Sequence, residues 1–126
     1  PKPEMVKLAR EDGKETGFSL LITNDPRAAA KDADAVYTDV WASMGQEQEK
    51  EARAKVFAPY QVNPELMAGA KLDAVFMHCL PAHREEEVTA SVFVSPQSVV
   101  FDQAENRLHF QKAIMLVLMG KKEKYG

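Results

Sequence analysis

The sequence predicts an α/β fold: a parallel sheet with helices on both faces. Short apolar runs of strand length alternate with helical patterns, and no internal repeat or low-complexity linker interrupts them. The chain has 126 residues, 45% of them hydrophobic and 28% charged, which suffices for one domain with one core and not for two.

Pro3 opens the first helix, with Met5, Leu8 and Ala9 on one face and Gly13 or Gly17 to end it. Phe18 to Thr23 reads as a nearly continuous apolar strand. Asn24-Asp25-Pro26 then supplies an N-cap and a proline at the first helical position. The Ala-rich helix Arg27 to Ala33 leads into a second strand, Ala35-Val36-Tyr37-Thr38. A polar stretch from Asp39 precedes a charged helix around Glu47 to Lys55. Asn63-Pro64-Glu65 repeats the Asx-Pro start signal and opens a short helix. Ala74 to Met77 reads as a third strand, Ser98 to Phe101 as a fourth, and about Ala104 to Met119 as the final helix.

Charge and composition narrow the function classes. The formal net charge is −3, with Lys and Arg scattered among carboxylates, so no basic face for nucleic acid is expected. The one basic cluster, Lys121-Lys122-Glu123-Lys124, reads as a solvated helix end that suits the helix dipole. Cys79 is the single cysteine, so no intramolecular disulfide can form and a reducing compartment suits the chain. The longest apolar run, Ala113 to Met119, is far short of the roughly 20 residues of a membrane span. The opening Pro1-Lys2-Pro3-Glu4 has no signal-peptide character, and a cytoplasmic protein is expected.

In open α/β sheets, ligands sit at the carboxyl ends of strands, so the residues just after each strand carry the search. Asp39 follows the second strand, where a carboxylate can dock an ammonium group or cap a turn. Ser43 and Gly45 suggest a loop able to fold over a ligand, while Trp41 reads equally as core. The third strand ends in His78-Cys79-Leu80-Pro81-Ala82-His83-Arg84, where Cys79 is either a reactive thiol or a packing residue. Cys79, His78 and His83 could offer soft metal ligands, but no fourth ligand has zinc-like spacing. Asp102 to Arg107 opens the last helix, where Arg107 can meet an anion or pair with Glu105 or Asp102.

Together these segments resemble a known family. Tyr37-Thr38-Asp39-Val40-Trp41, Ser43-Met44-Gly45, His78-Cys79-Leu80-Pro81 and Phe101-Asp102-Gln103-Ala104-Glu105-Asn106-Arg107 occur in this order in ornithine carbamoyltransferases. Phe57 to Asn63 is similar to the same family, and the resemblance covers essentially the whole chain. The cysteine of His-Cys-Leu-Pro sets this group apart from aspartate carbamoyltransferases. Ser-Met-Gly favours ornithine over putrescine, which has no α-amino or α-carboxyl group for such a loop to read.

The resemblance implies an incomplete Rossmann-like, three-layer ornithine-binding domain over residues 1–126, including the C-terminal helix at about 104–119. It implies transfer of the carbamoyl group from carbamoyl phosphate to the δ-amine of L-ornithine, giving citrulline and phosphate in arginine biosynthesis. Asp39 and Cys79 would be the catalytic pair. Asp39 would orient ornithine's amino groups, and Ser43 and Met44 would close on its α-amino-acid end. Cys79, Leu80 (through its carbonyl) and Arg107 would meet carbamoyl phosphate, with Leu80-Pro81 cis. The same resemblance implies no cofactor, no metal and a homotrimer. Alternatives are a non-catalytic amino-acid-binding or interaction module, or a carbamoyltransferase for another amine such as putrescine. Glu85 stands where the family usually has glycine, and Val94-Ser95 where it commonly has a polar, Gly-containing turn. The family's carbamoyl-phosphate half and its Asp-Gly-x-Asn-Asn segment, which supplies the central strand, have no counterpart here. The chain alone is therefore expected to have little or no transferase activity.

Overall fold

The computed structural model describes residues 1–42 and 50–120. Helix α1 spans Pro3–Thr16, and it ends at Gly17 rather than Gly13. Gly17 adopts φ +79°, a left-handed cap that glycine takes without a Cβ penalty, and its N–H reaches the Gly13 carbonyl at 2.9 Å. Gly13 serves the turn differently: a Cβ there would stand 2.7 Å from the Phe18 carbonyl, so only glycine lets the chain fold back so closely.

Residues 18–23 do not form the expected strand. An apolar run becomes a strand only when another strand takes its backbone hydrogen bonds, and none does so among the described residues. Phe18, Leu20, Leu21 and Ile22 remain exposed.

Helix α2, Pro26–Ala30, begins as expected: the Asp25 carboxylate accepts from Arg27 N–H at 2.9 Å and Ala28 N–H at 3.3 Å. It stops three residues short of Ala33 because Asp32 turns left-handed (φ 56°) and its N–H donates to the Gly69 carbonyl instead. Strand β1, Ala35–Thr38, follows. Helix α3, Lys50–Phe57, runs into a 3-10 turn at Ala58–Tyr60. Residues 47–49 of the expected charged helix lie outside the described residues. The short helix α4, Pro64–Met67, starts where Asn63 accepts from Leu66 N–H at 2.9 Å.

Strand β2, Val75–His78, pairs with β1 in parallel, from Ala35 opposite Val75 to Thr38 opposite His78. The expected fourth strand shrinks to one parallel bridge between Phe76 and Ser98, flanked by Phe76 N–H to Gln97 O and Val99 N–H to Phe76 O. Helix α6 takes over at Val100 and runs to Met119. The apolar Val99-Val100-Phe101 has strand composition, but the good helix formers that follow recruit Val100 and Phe101 to the first turn. Helix α5, Ala90–Phe93, was not anticipated from sequence; Thr89 caps it weakly at Val92 N–H, 3.4 Å away.

The α/β class therefore stands, with helices alternating around parallel strands. The core gathers Val62, Met67, Phe76, Val88, Val92, Phe93 and Val100, so β2 contributes its centre while α4, α5 and the start of α6 cover it. The rest of α6 is exposed, from Leu108 through Met119. No helix among the described residues is long and apolar enough to cross a membrane.

Candidate functional site

Parallel pairing decides where the site lies. Thr38 and His78 are the last paired residues, so Asp39 and Cys79 leave the sheet side by side at its carboxyl edge. The Cys79 thiol donates to Asp39 Oδ1 at 3.1 Å, and the same oxygen accepts from Val40 N–H at 2.7 Å. Asp39 thus accepts from the next backbone N–H and also contacts the thiol.

Burial, followed by the bond to Asp39, pushes the Cys79 thiol above the ordinary cysteine range. Reactive cysteines sit in electropositive surroundings that favour the thiolate. Cys79 faces a carboxylate instead, so it is suited to act as a protonated hydrogen-bond donor rather than an activated nucleophile. Tyr37 neighbours the same thiol: partial desolvation raises its phenol, and Cys79 adds to the effect.

The loop after Cys79 is held from below. Leu80 N–H donates to His78 Nδ1 at 2.8 Å, so that nitrogen must be unprotonated and Nε2 carries the ring proton. Nε2 lies 3.0 Å from Glu87 Oε1, which also accepts from His83 N–H at 2.7 Å. His78 and Glu87 are both fully buried. One carboxylate oxygen thereby brackets residues 78–83, the segment carrying Cys79 and Leu80. Leu80 has φ 56°, and its bond to Pro81 is cis, as expected.

Arg107 is exposed on α6, and its side chain makes neither an ion pair nor a hydrogen bond among the described residues. The pairing with Glu105 or Asp102 considered from sequence is not seen; Glu105 lies 3.6 Å from His109 instead. The structure does not bring Arg107 into contact with Asp39 or Cys79. Ser43 and Met44 lie outside the described residues. Trp41 is half-buried rather than core: it stacks on Phe57 at 6.4 Å, and Phe57 meets Tyr60 edge-on at 6.3 Å. Asp39, Trp41, Arg53, Phe57 and Tyr60 help line a cavity of about 540 Å³ beside the strand ends.

The sequence reading of a soft metal set is not assembled, since both ring nitrogens of His78 are engaged within the protein. Among the described residues, His83, Glu86 and Glu87 bring ligand atoms within 4.8 Å of one another, but Glu86 is already paired with Lys50 at 2.7 Å.

Sequence reasoning missed Tyr37, Gln103 and Glu87. Tyr37 stands two residues before Asp39, and Gln103 four before Arg107, so the periods of strand and helix were the available signals.

Residues 1–118 match the family described as aspartate/ornithine carbamoyltransferase, Asp/Orn binding domain. An ornithine carbamoyltransferase of Thermococcus kodakarensis is 61% identical over 120 residues, covering 95% of this chain and 38% of that protein. One from Halalkalibacterium halodurans is 58% identical over 116 residues, 92% of this chain and 36% of the relative. The solved ornithine carbamoyltransferase of Pyrococcus furiosus superposes with a TM-score of 0.89 at 56% identity, over 97% of this chain and 39% of that one. The chain thus spans about 38% of the length of the curated relatives it matches.

Proposed function

Because the chain belongs to the aspartate/ornithine carbamoyltransferase family through its Asp/Orn-binding domain, we propose that it forms the ornithine-binding side of an ornithine carbamoyltransferase site. The observation that carries this reading is the contact of Cys79 Sγ with Asp39 Oδ1, 3.1 Å, at neighbouring strand ends. In the proposed reaction the neutral δ-amine of L-ornithine attacks the carbamoyl carbon of carbamoyl phosphate, a tetrahedral centre forms, and its C–O bond to phosphate breaks, the phosphate leaving with the proton lost from the amine nitrogen as citrulline forms.

An alkylamine is protonated near neutral pH, and only its neutral form attacks. Asp39 receives the ammonium form and orients it, while Cys79 beside it supplies a neutral, hydrogen-bonding partner for the amine. Holding the amine in a defined, partly desolvated position lowers the cost of deprotonating it. Ser43 and Met44 read the α-amino-acid end, the Leu80 carbonyl accepts from the carbamoyl amide, and Arg107 adds one cationic donor for the phosphate. Charge developing on oxygen and phosphate needs several fixed donors. A carbamoyl-phosphate-binding domain supplies the others, in a homotrimeric assembly serving arginine biosynthesis.

Mixing the chain with a separately produced carbamoyl-phosphate-binding domain of a relative, then assaying citrulline, tests the reading. Turnover is expected from the mixture and not from this chain alone. Asp39→Ala should abolish it. Equal citrulline with Asp39→Ala, or turnover with putrescine in place of ornithine, would sink the reading.

A further inference from the structure

Gln103 joins the two strand ends in a way that needs a carboxamide. Its Oε1 accepts from the N–H of His78, the residue before Cys79, at 3.1 Å. Its Nε2 donates to the Tyr37 hydroxyl at 3.3 Å. The order of donors then follows around the site. Tyr37 oxygen accepts from Gln103, so the phenol proton is free for the Cys79 sulfur, and the thiol proton goes to Asp39 Oδ1. We propose that Gln103 is a positioning residue that, through Tyr37, sets the direction of the hydrogen bonds around Cys79 and so its behaviour as a thiol.

Among the described residues, the groups facing the sulfur are few. β1 contributes Tyr37 and Asp39. The His78 ring on β2 is turned to Glu87. α6 contributes the neutral Gln103, with Arg107 one turn further on and exposed. Of these, Asp39 favours the thiol, and Tyr37 works the other way by donating to the thiolate. A carboxylate at position 103 could still accept from His78 N–H, so β2 would stay anchored. It could not donate to Tyr37. It would take the phenol proton for itself and leave the sulfur without a donor. The inference bears on catalysis only if Asp39 and Cys79 handle ornithine as proposed, but its test uses no substrate.

Cys79 is the only cysteine, so iodoacetamide reports on one site in the whole chain. The midpoint of the alkylation pH profile is expected to rise by about half a unit in Tyr37→Phe, roughly a threefold slower rate at fixed pH below it. Tyr37 is 56% exposed, so this variant opens no core. Gln103→Glu should raise the midpoint at least as far. Added to Tyr37→Phe, it should contribute less than half of its effect in the parent chain. A charge acting through space alone predicts equal increments in both backgrounds, and that result would overturn the proposal, as would an unshifted profile in Tyr37→Phe. Failure of the transferase reading would appear in the citrulline assay and leave these profiles untouched.

Discussion

Cys79 lies between a carboxylate and a phenol, and these neighbours decide when it ionises. Burial and then Asp39 raise its affinity for a proton in the folded chain. The group therefore contributes stability below the unfolded thiol's value, about pH 8.5, and loses it as pH rises through the higher folded value. Thermal unfolding should show a melting temperature that falls more steeply above about pH 8.5 in the parent chain than in Cys79→Ser. Asp39→Asn removes the charge that opposes ionisation, so alkylation of Cys79 at about pH 8 should speed up severalfold. Glu85 illustrates strain of another kind. At φ 67° it occupies the left-handed region where glycine is at ease, while its carboxylate accepts from Ala90 N–H at 2.8 Å. Glu85→Gly loses the bond but also the strain, whereas Glu85→Ala loses the bond and keeps the strain. Urea denaturation should find Glu85→Ala about 1 kcal/mol less stable than Glu85→Gly. The glycine expected there from family resemblance thus has a backbone reason.

Elements whose cause is local were legible in the sequence. Asp25-Pro26 and Asn63-Pro64 each place a capping carboxylate or amide and a fixed φ at a helix start, and both helices begin there. Asn63→Ala should cost about 1 kcal/mol in chemical denaturation, because it frees a partly buried Leu66 N–H. Elements whose cause is distant were not legible. Phe18 to Thr23 has strand composition, but composition cannot supply a neighbour to pair with. Ser98 finds one at Phe76, for a single bridge only. The candidate site divides along the same line. Asp39 and Cys79 follow apolar runs and were visible as strand-end residues. Tyr37 and Gln103 became visible only through a hydrogen bond spanning 66 positions, which no local pattern encodes.

Among the described residues, exposed large apolar side chains include the run Phe18 to Ile22 and much of the length of α6. Leu118 and Met119 are 78% and 83% exposed, and Phe110, Leu116 and Val117 are exposed with them. Exposed apolar surface of this amount favours association in water. Sedimentation velocity should show concentration-dependent association of the chain, reduced by Leu116→Lys together with Val117→Glu. The parallel pairing of β1 and β2 also has a temporal consequence. Asp39 and Cys79 lie 40 positions apart, and parallel strands meet only after the intervening crossover has been traversed. Helices such as α1 and α6 can nucleate from nearby residues, whereas this meeting must first overcome the entropy of closing a long loop. During refolding the lone thiol should therefore react with a pulse of alkylating reagent as fast as in the unfolded chain after helical signal has returned, slowing only when the strands join. The chemistry proposed for the folded site would then double as a clock for its assembly.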